Sequence, residues 1–142
     1  MKNKVFLVLS IFVTIIGIVL NISGTLGKPI TAINLAVSLI VLCFYIIFIF
    51  QCRESRNLML YSTAFWEVTF VISILGLIGS NAFTESVLNV LLIPLMIVAS
   101  PLYGFRYWIE GANGILGFIV GISLVLGVLS YLLLKPQNNK VS

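Results

Sequence analysis

Apolar residues run through this chain in five long blocks: Val5 to Ile22, Ile30 to Phe50, Leu58 to Ile78, Val87 to Phe105 and Gly114 to Leu134. Each is close to the ~20 residues that an α-helix needs to cross a ~30 Å hydrocarbon layer. The joins between them (Ser23 to Pro29, Gln51 to Asn57, Gly79 to Ser86 and Arg106 to Asn113) are short and rich in turn formers. Lipid offers the backbone no hydrogen bonds, so apolar blocks of this length read as transmembrane helices. The pattern predicts one all-α domain over residues 1–142, a polytopic up-down bundle of five spans with consecutive helices antiparallel. The fourth block carries Pro94, Ser100 and Pro101. Each proline removes a helical hydrogen bond, so this is the weakest of the five spans, with a broken or re-entrant segment, leaving four spans, as the alternative.

Helices in a bilayer associate through small and polar residues, since burying one hydrophobe among others gains nothing there. Those residues therefore mark the packing faces. Ser10, Thr14, Gly17, Asn21 and Gly24 recur at steps of three and four in the first block, and Thr31, Asn34, Ser38 and Tyr45 follow a similar track in the second. The third block has Ser62, Trp66, Thr69, Ser73, Gly76 and Ser80, and the fifth has Gly114, Gly117 and Gly121. From these stripes Gly17, Asn21, Gly76, Gly117 and Gly121 are the candidate helix-packing positions.

One residue breaks the pattern. Glu67 lies within the third apolar block, in a chain with four acidic residues and no histidine. Counted from Arg56, it sits about 16 Å along a helix, near the bilayer midplane. A charge there costs about 2.5–3.5 kcal/mol, which makes it a functional-site candidate provided a partner exists. No Lys or Arg is available at that depth, so the carboxyl is expected to be neutral and hydrogen-bonded, with Thr14, Ser38, Tyr45 and Ser100 as possible donors. At 100° per residue it points about 120–140° away from its own helix's stripe, which predicts a third helix buried on two faces at the centre of the bundle. Trp66, Thr63 and Tyr45 complete the candidate proton or cation site, the aromatics as a cation–π wall.

Composition agrees with the pattern. The chain is 61% hydrophobic and 8% charged, with no room for a soluble domain. The net charge of +4 comes from eight scattered basic residues and excludes a nucleic-acid surface. With five spans and a cytoplasmic N-terminus, Lys2, Lys4, Arg53, Arg56 and Arg106 fall inside, and Lys28, Lys135 and Lys140 outside. A re-entrant fourth block would bring the last two lysines back inside. The basic, apolar start resembles a signal peptide, but its apolar run is long and no Ala-x-Ala type site follows, so it is read as an uncleaved first span. Cys43 and Cys52 lie on one predicted helix, roughly 13 Å apart, and cannot bridge.

Arg106, Tyr107, Trp108 and Glu110 form a second cluster. Aromatic and basic residues at a helix end suit the headgroup zone, and Arg106 and Glu110 stand at the i,i+4 spacing of an ion pair. The cluster reads as an interfacial anchor, with a lipid-headgroup or partner contact as the alternative. Catalysis is not expected: the chain lacks histidine, aspartate and clustered cysteine, and no metal or cofactor is implied. The expected function is that of a small non-catalytic membrane protein acting through partners, whether an accessory or regulatory subunit or an immunity-type protein. The alternative is a small proton- or cation-coupled transporter or channel using Glu67. The expected partners are the lipid bilayer and other membrane proteins or a second copy, and richness in Ile, Asn and Lys suits the cytoplasmic membrane of a bacterium.

Overall fold

The structure, a computed structural model, describes residues 2–82 and 85–134, with side chains described at 4–79, 90 and 92–134. The apolar blocks fold as α1 (Lys2–Thr25), α2 (Ala32–Cys52), α3 (Arg56–Ala82), α4 (Glu85–Ala99) and α5 (Ala112–Leu132), with a 3-10 segment, Ser100–Tyr107, between the last two. Four helices, α1, α2, α3 and α5, are long and apolar enough to cross a membrane. α4 has 15 residues and contains Pro94. The fold is an all-helical membrane bundle.

The contacts of the fourth segment fix its route. Midway along α4, Leu95 packs on Gly76 of α3. Val98, Pro101 and Leu102 then share a small cavity with Trp66 and Thr69, near the middle of α3. There the chain reverses. Pro101 lies against Gly17, Tyr103 against Gly24, and Arg106 and Tyr107 border the same recess as Gly27 to Ile30 in the α1–α2 join. The segment thus enters from one end of the bundle, reaches about mid-depth and returns to the end it left. α5 starts there, with Ala112 and Leu116 sharing a cavity with Thr25, and runs back antiparallel to α3, where the Ser62 and Ser130 hydroxyls meet at 2.9 Å. Four helices run the length of the bundle, and the start of α1 and the end of α5 lie at one end of it, here the near end. Arg106, expected on the side of the N-terminus, is at the far end instead.

Non-helical backbone at membrane depth is tolerated where protein groups satisfy it. Two residues of the predicted stripes, Asn21 and Ser38, do so here, and a third, Asn34, braces Asn21. Ser38 Oγ donates to the Pro101 carbonyl at 2.9 Å and accepts from the Gly104 N–H at 3.0 Å. Asn21 Nδ2 donates to Ser38 Oγ at 2.9 Å, and Asn34 Nδ2 donates to Asn21 Oδ1 at 3.1 Å and to the Leu20 carbonyl at 2.8 Å. Asn21 and Ser38 are fully buried. Gly104 is required sterically, because a Cβ there would stand 1.9 Å from the Asn34 carbonyl oxygen.

The hairpin, not α3, occupies the centre. Ser100 to Phe105 are all buried, between an α1–α2 pair on one side and an α3–α5 pair on the other. α2 and α3 are consecutive but touch little along their backbones, meeting instead through the stacked rings of Tyr45 and Phe65, 5.0 Å apart. Ser80 and the residues from Lys135 onward, which carry part of the third stripe and the tail, lie outside the described side chains.

Candidate functional site

α3 turns Ser62, Thr69 and Ser73 inward, each at most 1% exposed. Glu67 falls on the other side as its angle predicts, but that side is the outer surface of the bundle and the residue is exposed. The predicted second buried face is absent, with Glu67, Val68 and Val71 all exposed, because the fourth segment packs in the interior and not on this side of α3. Glu67 opens onto a groove of about 320 Å³ between α3 and α5, lined by Phe70, Ser123, Leu124, Gly127, Val128 and Tyr131. Among the described residues its carboxyl receives no hydrogen bond.

The expected donors are engaged elsewhere. Thr14 and Tyr45 pair with each other at 2.7 Å, Ser38 serves the hairpin, and Ser100 bonds the Met96 carbonyl. Trp66 and Tyr45 do not wall the acid. They pack against each other in the interior at 5.0 Å between ring centroids, and both are at most 1% exposed. Trp66 precedes Glu67 by one residue, a rotation of about 100°, so the two side chains cannot share a face. Trp66 Nε1 is buried without a hydrogen-bond partner among the described residues. Thr63, one turn before Glu67, is buried and bonds back to the Met59 carbonyl at 2.9 Å. The four residues therefore do not form one site, and the acid stands in a groove of apolar and small residues.

The glycines divide. Gly17 and Gly76 sit in tight contact, with Val41 and Pro101 at the first and Leu95 at the second. Gly117 and Gly121 meet nothing within 4 Å of an added Cβ and are exposed. The inward face of α5 is instead Ser123, Gly127 and Ser130, all buried, a second small-residue stripe at steps of four and three. Gly127 lies against Trp66, whose Cβ would stand 3.5 Å from a Cβ added at Gly127. Neither Gly117 nor Gly121 lines the Glu67 groove; Gly121 lines a separate apolar groove between α2 and α5, with Leu42, Ile46 and Val125.

In the interfacial cluster, Arg106 turns back to Tyr103, donating to its hydroxyl at 3.0 Å with the guanidinium 5.6 Å from the ring centroid. The predicted pairing with Glu110 is not formed, because the 3-10 segment ends at Tyr107 and no helical turn brings position 110 beneath position 106. Tyr107 and Trp108 are exposed, as an interfacial belt requires. Asn34, Ser38 and Gly104, which hold the hairpin, were visible in the sequence only as packing residues or not at all. The available signal was the coincidence of polar positions in α1 and α2 with a proline-broken block. No family model matches the chain, and no curated protein and no solved structure resembles it.

Proposed function

We propose that this protein is a non-catalytic membrane subunit that acts by lateral docking, with the Glu67 groove facing a transmembrane helix of a partner protein. The observation that carries the reading is the exposed carboxyl near mid-depth, unsatisfied by any described residue of its own chain. An ionised carboxylate there costs about 2.5–3.5 kcal/mol, and even a neutral polar group without a hydrogen bond costs about 1–3 kcal/mol. A covering helix that brings Lys, Arg or another donor removes that cost. The chain has no basic residue at this depth, so a second copy could bring no cation to the carboxyl. The groove suits close approach, because the small residues Ser123 and Gly127 line its α5 wall.

The near end is assigned to the cytoplasm of a cell membrane. Lys2, Lys4, Arg53 and Arg56 belong to that end, and Lys135 and Lys140 follow α5 in sequence, against Lys28 and Arg106 at the far end. The six-to-two balance supports this orientation better than the five-to-three of a five-span chain.

The test is gentle extraction of tagged protein from its native membrane, with mass determination and identification of co-purifying chains, for the wild type, Glu67→Gln and Glu67→Leu. A stoichiometric foreign chain that is lost in Glu67→Leu is the expected result. A homo-oligomer without a foreign chain, whose proton-coupled flux disappears in Glu67→Gln, would replace this reading with the transporter alternative.

A further inference from the structure

The joins at the far end contain two basic residues, Lys28 and Arg106, and both line one recess of about 390 Å³ with Gly27, Pro29, Ile30 and Tyr107. Among the described residues no acidic one lines it. Among the described residues basic ones are scarce at this end, two of six, so their convergence on one recess is the feature to explain. They arrive from different elements. Lys28 lies in the α1–α2 join just after Gly27, whose φ of +84° turns the chain there. Arg106 closes the 3-10 arm of the hairpin.

Arg106 is held in place before any ligand arrives. Its hydrogen bond to Tyr103 uses one of the five N–H donors of a guanidinium, and Tyr103 is itself buried against Gly24. The remaining donors are free to take two oxygens of a phosphate in a fork. Lys28 is exposed, its backbone N–H donating to the Ser23 carbonyl at 3.1 Å, and its side chain has no hydrogen bond or ion pair among the described residues, so its ammonium supplies a second, mobile charge. Tyr107 and Trp108 are 50% and 66% exposed, which sets the recess at the level of lipid headgroups. Pro29 and Ile30 give it an apolar side.

We propose that this recess binds the phosphate of an anionic phospholipid in the far-end leaflet, with Arg106 as the fork and Lys28 as the second charge. A soluble phosphate compound shares that chemistry, but the aromatic flank and apolar side favour the lipid. The site does not depend on the Glu67 groove or on which leaflet is cytoplasmic.

The experiment is native mass spectrometry of the purified full-length chain in detergent, titrated with phosphatidylglycerol or with phosphatidylcholine of the same acyl chains. The wild type should retain phosphatidylglycerol preferentially. Each of Lys28→Gln and Arg106→Gln should weaken that retention about fivefold, and both together on the order of 25-fold. The near-end control Lys4→Gln with Arg56→Gln should leave it unchanged. Since Arg106→Gln also removes the Tyr103 contact, Lys28→Gln, at an exposed position, carries the test alone if the double variant misfolds. Equal retention of the two lipids, or equal loss in the near-end control, would overturn the proposal. Millimolar inorganic phosphate should not displace the lipid; displacement would reassign the recess to a soluble phosphate compound and overturn the lipid assignment.

Discussion

Replacing Gly104 by alanine tests whether the buried hairpin holds this fold together. The added Cβ would stand 1.9 Å from the Asn34 carbonyl oxygen, 2.4 Å from its carbon and 2.6 Å from Ser38 Oγ. Two of these atoms are backbone in α2 and cannot swing aside. To restore a carbon–oxygen separation of about 3.3 Å, the 3-10 arm must withdraw by roughly 1.4 Å. That displacement stretches the Gly104 N–H bond to Ser38, now 3.0 Å, and the Ser38 bond to the Pro101 carbonyl, now 2.9 Å. Overpacking typically costs about 1–3 kcal/mol, and two weakened buried hydrogen bonds add about 1–2 kcal/mol. The expected loss is about 2–5 kcal/mol, a fall in melting temperature on the order of 10 °C. The assay is thermal unfolding in mild detergent followed by size exclusion, with Gly117→Ala as the control. Nothing lies within 4 Å of a Cβ at Gly117, and alanine favours the helix by about 0.5–1 kcal/mol, so this variant should melt at or slightly above the wild type. A Gly104→Ala protein melting within about 2 °C of the wild type, or a Gly117→Ala protein equally weakened, would refute the steric argument.

Two further predictions concern the same hairpin. Ser38→Ala removes the group that links Asn21, the Pro101 carbonyl and the Gly104 N–H; it should cost roughly 2–3 kcal/mol by the same melting assay, and a neutral effect would mean that water or lipid can replace the hydroxyl. Because the fourth segment returns to the end it left, compartment-sensitive reporters fused to the N-terminus and the C-terminus should report the same side of the membrane, and opposite readings would restore a full fourth crossing.

The crossing helices were legible because two independent patterns agreed. Block length gave the spans, and the inward faces of α1, α2 and α3 followed their small and polar residues, as buried Ser10, Asn21, Ser38, Ser62 and Ser73 show. The fourth block was ambiguous for a physical reason. Pro94 and Pro101 announce lost hydrogen bonds, but whether the chain kinks and continues or turns back depends on whether other helices supply donors at that depth. Asn21 and Ser38 supply them here, and no rule local to the fourth block contains that fact. α5 misled because it carries two small-residue stripes, and sequence spacing cannot say which faces protein. Only the register against α3, with Ser130 meeting Ser62 and Gly127 meeting Trp66, selects the second stripe.

The same choice decides what Glu67 is. A fourth crossing helix would have been available to cover the outer face of α3 and give the carboxyl a partner within the chain. Once that segment is drawn into the centre to fill the space between the α1–α2 and α3–α5 pairs, no described element remains for the outer face, and the acid is left exposed at a groove whose α5 wall includes the small residues Ser123 and Gly127. Small side chains let a neighbouring backbone approach, and an unsatisfied carboxyl makes that approach favourable at one depth. The carboxyl does not help this chain fold. Glu67→Leu should therefore leave the melting temperature of the isolated protein unchanged or raised while abolishing retention of its partner, whereas a residue that served internal packing would lose both together.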